Sequence, residues 1–179
     1  MLEITIPDSE IFDAKNNRII EIKGQTLKLE HSLVSLHKWE SKWHKPFLST
    51  TEKTYDEILD YIKLMTITQN VNPYVYYGIT QENINDINSY IENPMTATTF
   101  AEEKSKGNRE VITAEIIYYW MISLNIPFEC QKWHLNKLFT LIKVCGIKNQ
   151  PPKKMNKKDV MSRNAALNQA RRKQLNSKG

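Results

Sequence analysis

Residues 113–145, TAEIIYYWMISLNIPFECQKWHLNKLFTLIKVC, constrain this chain more than any other stretch. The spacing predicts two helices joined by a short turn at Asn125, Ile126 and Pro127. In the first, positions 116–122 are apolar without a break, and Glu115, Tyr119 and Ser123 at i, i+4 and i+8 leave one thin wettable stripe. A helix wrapped on most sides is expected. In the second, Lys132, Asn136, Thr140 and Lys143 form a narrow polar ribbon. Leu135, Leu138, Ile142 and Cys145 cover one flank, and Trp133, Leu141 and Val144 another. Gly146 reads as the stop of that helix. Two helices this apolar either make the centre of a domain or offer themselves to a partner.

The chain before them reads as a small β region followed by capped helices. Leu2, Ile4 and Ile6 alternate with polar residues, which signals a strand. Residues 18–22 and 25–29 are two further extended runs on either side of Lys23 and Gly24, expected to pair as a hairpin within a meander over residues 1–30. That meander needs the helical body for stability. Ser32 is a candidate N-cap for a helix reaching about His44, on which Leu36, Trp39 and Trp43 share a face. Trp39 and Trp43 read as stacked core residues, with a partner-recognition patch as the sharper alternative. Thr54 is expected to cap a helix whose inner face holds Tyr55, Ile58, Leu59, Ile62 and Met65, with acids near its positive end. The run Tyr74, Val75, Tyr76, Tyr77, Gly78 is a strand or a buried bend. Thr80 starts a helix with Ile84, Ile87, Tyr90 and Ile91 inward, closed by Asn93 and Pro94. Residues 96–99 read as extended and residues 102–109 as a charged mobile loop. The fold class is therefore α+β, mainly α, with divisions at residues 1–30, 31–150 and 151–179.

The 179 residues suit one core plus a tail. The net charge of +5 hides an asymmetry: residues 153–179 hold nine Lys and Arg and one acid, so they carry +8 and the preceding residues −3. Lys153, Lys154, Lys157, Lys158, Arg163, Arg171, Arg172 and Lys173 make this a basic appendage behind the paired prolines 151 and 152. Asn156 is expected to cap a last helix that has little to bury. No stretch reaches the ~20 apolar residues a bilayer span requires, and the first residues have neither the positive nor the apolar region of a secretory signal. Cys130 and Cys145, read as lying on one helix, are separated by about 22 Å at 1.5 Å per residue, too far to bridge. Free thiols fit a reducing cytoplasm.

Candidate chemistry is thin. Cys130 and His134 are four apart, the helical spacing a thiolate–imidazole pair needs, but no orienting group or oxyanion site accompanies them. A buried cysteine beside a half-buried histidine is the plainer reading. His31, His37, His44, Cys130, His134 and Cys145 lack the tight ligand pairs of a zinc site. Glu40 and Glu115 are the acids of the most aromatic segments and read as solvated or paired surface carboxylates. The five glycines are scattered, with no nucleotide cradle. The second helix exposes too few cations for a helix-turn-helix reader. The basic tail is the stronger nucleic-acid feature, since it would neutralise phosphates without reading bases. The residues by themselves support a helical interaction module with no cofactor and no metal, and they leave a homo-oligomer open.

Two segments and the tail resemble the tail assembly chaperones of long-tailed bacteriophages. The resemblance lies in residues 29–48, LEHSLVSLHKWESKWHKPFL, in residues 115–121, EIIYYWM, and in Trp133, His134, Leu135 and Asn136. Pro151, Pro152, Lys153, Lys154 and Met155 with Arg163, Asn164, Ala165 and Asn168 follow the same pattern, and together these cover about half of the chain. The resemblance implies a non-enzymatic protein in the cytoplasm of an infected bacterial host, encoded beside the long helical tape-measure protein. Such a chaperone binds that protein, helps tail-tube subunits polymerise around it, and is not expected to stay in the virion. With that partner in view, Trp39, Trp43, Tyr118, Tyr119, Trp120 and Trp133 are expected to form or support the partner-binding groove. The alternative is a virion structural or nucleic-acid-associated protein acting through residues 153–179.

Overall fold

A computed structural model describes residues 1–13, 17–49, 51–100, 111–150 and 156–176. The chain is α+β, mainly α, and divides into a compact unit Met1–Lys148 and a second unit Asn149–Gly179.

The first unit opens with strands β1 (Leu2–Ile6), β2 (Ser9–Asp13), β3 (Arg18–Ile22) and β4 (Gln25–Leu29). The expected hairpin of β3 with β4 does not form: β4 pairs antiparallel with β1, and β3 with β2. Ile6 faces Gln25 and Ser9 faces Ile22, three residues further along each strand, so one register runs through both pairs. They are successive segments of a single long ribbon, broken where Pro7 and Asp8 stand opposite Lys23 and Gly24. The break follows from the residues. Pro7 has no N–H to give to a ladder, and a side chain at Gly24 would come within 2.6 Å of the Ile6 carbonyl oxygen. The Gly24 N–H donates instead to the Asp8 carboxylate at 2.5 Å. Across the break the inward face changes parity, from Leu27 and Leu29 on β4 to Ile20 and Ile22 on β3. Strand β2 carries no alternation strong enough to announce it.

Three helices follow, each started by a cap of recognisable chemistry. Helix α1 (Leu33–Trp43) begins at a box in which Ser32 and Ser35 bond each other's backbone N–H, and it stops at His44 in a left-handed turn, φ 52°. Helix α2 (Tyr55–Met65) has the same box from Thr54 and Glu57, and α3 (Gln81–Glu92) from Thr80 and Asn83. On α2 the buried side chains are Glu57, Leu59, Tyr61, Ile62 and Met65. Tyr55 and Ile58, expected inside, are exposed, because the buried stripe runs one residue further round the helix. The aromatic run is a 3-10 turn, Pro73–Gly78, with Val75 and Tyr76 buried. Residues 96–99 belong to no regular element, and the charged segment 102–109 lies outside the described residues.

Helix α4 (Ala114–Ser123) and helix α5 (Leu135–Lys148) correspond to the predicted pair, with three corrections. The chain between them carries a separate 3-10 turn, Phe128–Lys132, so Cys130 and Cys145 are not on one helix. Helix α4 is not wrapped on most sides: Ala114, Ile117 and Met121 are buried, whereas Tyr119 and Ile122 are exposed. Gly146 does not stop α5, which continues to Lys148; Gly146 does not have the positive φ that makes a glycine a helix stop.

Two apolar clusters result. One joins Ile4, Ile6, Leu27 and Leu29 of the ribbon to Trp39, Leu59, Ile62, Met65 and Ile87. The other joins Leu33 and Leu36 to Ile117, Met121, Leu135 and Leu138. Helix α1 gives residues to both and is their shared wall. Glu40, on that wall, is neither solvated nor on the surface: it is buried, its Oε1 accepting the Phe47 N–H at 2.8 Å and its Oε2 the Ala114 N–H at 2.7 Å. It caps α4 from another helix, where the local Thr113 side chain makes no cap bond. Glu40→Ala is expected to lower the unfolding free energy by about 2–4 kcal/mol, the cost of two buried N–H groups left without acceptors. Glu115→Ala, at the exposed position next to Ala114, is expected to cost about 0.5 kcal/mol or less; urea denaturation of the two variants distinguishes these outcomes.

The second unit contains helix α6 (Lys157–Leu175), which follows Asn156 and ends at Asn176 with φ 48°. The Asn156 side chain makes no cap bond, and no residue of α6 is buried.

Candidate partner-binding surface

The outward side of α4 and the 3-10 turn after it expose the rings of Tyr119 and Phe128. With Ala114, Ile117 and Met121 holding the inward face at i, i+3 and i+7, Tyr119 and Ile122 point away from the core and are 66% and 60% exposed. Asn125 in the left-handed region, φ 52°, reverses the chain, and the Ile126 N–H donates to the Met121 carbonyl at 2.8 Å. Phe128 then stands exposed with its ring 6.4 Å from that of Tyr118. Tyr118 is half-buried. Its hydroxyl donates to the Gln131 side-chain oxygen at 2.8 Å, and its ring meets His37 edge-on at 5.8 Å. Trp120 is half-buried and packs against the second cluster. Trp133 is partly exposed, with the Lys137 ammonium 4.5 Å above its ring. Phe128 and Ile122 were absent from the residues singled out by sequence. Phe128 had a signal in Pro127, which starts the turn that carries it, whereas Ile122, within an unbroken apolar run, had none.

The two tryptophans of α1 are placed differently. Trp39 is 1% exposed, its indole N–H donating to the Glu57 carbonyl at 2.8 Å and its ring 5.1 Å from Phe47. Trp43 is half-buried beside it, 6.3 Å ring to ring, and donates to the Asp60 carboxylate at 3.1 Å. Both indoles are engaged in packing α1 on α2. Under them Glu57 binds Lys45 at 2.5 Å, and this hydrogen bond, followed by the Thr54 N–H, holds its carboxyl below the usual range. The spacing of the tryptophans is as the sequence suggests, but Trp39 has no surface to give a partner.

A polar seam fixes the segment carrying Trp133. His31 Nδ1 and the Tyr61 hydroxyl are 2.6 Å apart, and the His31 and His134 rings meet edge-on at 5.2 Å. His134 Nε2 lies 3.0 Å from the Tyr90 carbonyl oxygen, so that nitrogen carries the proton, and Nδ1 accepts the Asn136 N–H at 3.3 Å. Asn136 in turn donates to the carbonyls of Ile91 and Asn93, each at 2.9 Å. Tyr90 donates its hydroxyl to Glu30 at 2.6 Å. Burial, and then the neighbouring His134, lowers the His31 pKa to about 4, and burial lowers that of His134 as well. Burial pushes both Tyr61 and Tyr90 up.

This arrangement positions backbone; it does not prepare a nucleophile. Both nitrogens of His134 are committed to main-chain groups, and burial raises the Cys130 thiol rather than lowering it. Among the described residues no group of three His, Cys, Asp or Glu side chains is placed to hold a metal ion, and no helix is long and apolar enough to cross a membrane. Of the basic residues, Lys157, Lys158, Arg163, Arg171, Arg172 and Lys173 lie on α6, and Lys153 and Lys154 fall outside the described residues.

Comparison with known protein families, with curated proteins and with solved structures finds no match.

The seam gives a pH dependence of definite sign. A histidine pKa lowered from 6.5 to about 4 means that the unfolded chain binds the extra proton first. Stability from His31 is full above pH 6.5 and is lost as pH falls toward 4, by up to about 3 kcal/mol. The urea midpoint is expected to fall across that window, and His31→Asn to flatten the fall; a wild-type midpoint constant from pH 7 to pH 4 would contradict it.

Proposed function

We propose that this protein is a non-enzymatic assembly chaperone of the bacteriophage tail type, which binds the tape-measure protein and favours tail-tube polymerisation around it. The reading rests on the resemblance in residues 29–48, 115–121 and 133–136. One structural observation supports it: an outward aromatic and aliphatic set, Tyr119, Ile122, Phe128 and Trp133, held on elements whose inward sides are fixed by packing and hydrogen bonds. Exposed apolar side chains scattered singly need no explanation, but rings concentrated on one helix and the turn after it suit an amphipathic helix laid against them. Tyrosine and tryptophan give a partner large contact area at low cost in side-chain entropy. Trp39 and Trp43 act in this reading as the support of α1, not as contacts.

Co-expression with the cognate tape-measure protein, followed by affinity capture, tests the reading. Full-length chain is expected to retain the partner. Tyr119→Ser with Ile122→Ser is expected to cut retention about tenfold, the loss of one apolar anchor pair, while the urea midpoint hardly moves because both sites are exposed. Trp39→Ala is expected to act in the opposite sense, costing about 3–5 kcal/mol of stability through a core cavity. If the wild-type chain releases the tape-measure protein under conditions where a control chaperone holds its own, the proposal fails.

A second reading, a nucleic-acid-associated or virion structural role, is favoured by one observation: α6 presents its cations with no residue buried. DNA binding that weakens steeply with salt and disappears on changing Arg171, Arg172 and Lys173 to Gln would support it. Absence of DNA affinity even at low salt would eliminate the nucleic-acid form.

A further inference from the structure

The outer half of the ribbon carries a face of unusual chemistry. Phe12 and Ile19 are direct cross-strand partners, and both are exposed, at 61% and 64%. The next pair on that face is Glu10 opposite Glu21, two carboxylates directly across the ladder. Like charges at this position destabilise a strand pair, and an aromatic–aliphatic pair left in water gives up most of its value. A cleft of about 340 Å³ at the same end of the ribbon is lined by Asp8, Ser9, Glu10, Glu21, Ile22 and Lys23. A two-stranded ribbon with this decoration asks for a cover that is cationic and apolar at once.

The chain contains a segment of that composition. On α6, Lys157, Val160, Asn164, Leu167, Arg171 and Leu175 succeed one another at steps of three or four and so lie on one side of the helix, which carries two cations, Lys157 and Arg171, and three apolar side chains, Val160, Leu167 and Leu175. None of them is buried, and a lone helix of this length is marginal in water. The spacings agree: Leu167 to Arg171 is a rise of about 6 Å along a helix, and Phe12 to Glu10 is about 6.7 Å along a strand. Nucleic acid would use the cations of that stripe but not Val160, Leu167 and Leu175.

We propose that the outer face of the β2–β3 ribbon docks helix α6 of a second copy of this chain. Leu167 lies on the Phe12–Ile19 pair, and Arg171 enters between Glu10 and Glu21. Two such contacts made reciprocally close a twofold dimer; made in one direction, they build a longer series. The inference is independent of the tape-measure reading, since it uses neither α4 nor the turn after it.

Sedimentation of the full chain over a range of concentrations, at low and at high salt, tests it. Reversible self-association that weakens with salt is expected. Glu10→Lys with Glu21→Lys is expected to weaken it about tenfold or more, as is Arg171→Glu alone, and the chain carrying all three changes is expected to recover most of the loss. Phe12→Ser is expected to weaken association without removing its salt dependence. All these sites are exposed, so circular dichroism melting curves should match that of wild type, which separates lost association from lost folding. A chain that stays monomeric at every concentration overturns the proposal. So does association indifferent to the charge reversals, and so does a monomer whose α6 instead binds DNA.

Discussion

The carboxylate of Glu40 is the joint on which the first unit depends. It sits on the helix that separates the two apolar clusters and reaches across to accept N–H groups from Phe47 and from the first residue of α4. Taking a carboxylate out of water costs several kcal/mol unless the site supplies donors. Here two backbone donors and the positive end of a helix supply them. The bond at Ala114 spans 74 positions, so a local cap has been replaced by a tertiary one. Helix α4 is thereby oriented by α1, and its exposed rings by α4.

A second set of bonds works to the same end from the main chain. Glu30 donates its N–H to the Met65 carbonyl at 2.9 Å, and Leu135 donates to the His31 carbonyl at 2.8 Å. Ser32 and His134 form an isolated antiparallel bridge. The few residues between β4 and α1 therefore hold the end of α2 on one side and the start of α5 on the other. The two buried histidines lie at that crossing and stay neutral, because charging either would place a cation among groups already satisfied. The acid sensitivity expected of the protein and the placement of Trp133 have one origin.

Much of the helical plan was legible. Ser32, Thr54 and Thr80 are starts that side-chain oxygens fix within three residues, and each does so. The candidate surface was legible only in part. Tyr119 could be found from its place in the wettable stripe of α4, but Ile122 could not, since apolar residues on every side of a helix do not say which side is covered. Trp39 and Trp43 illustrate the converse: their spacing gives the stacking, yet only the position of α2 decides that the first has no exposed ring. Strand pairing was read wrongly because nearness in sequence favoured β3 with β4, whereas Pro7 and Gly24 make that site a break in a longer ribbon.

By itself the sequence determined the class of the fold, most helix starts and the charge division between body and tail. These follow from side chains acting on their own few neighbours, through periodicity, capping and net charge. Which strands pair, which flank of α4 is wet, and where Glu40 and the two histidines are buried were decided only by tertiary structure. The reason is physical: each depends on contacts between separate segments of the chain or on a face chosen by packing, and no local pattern of residues encodes such a choice.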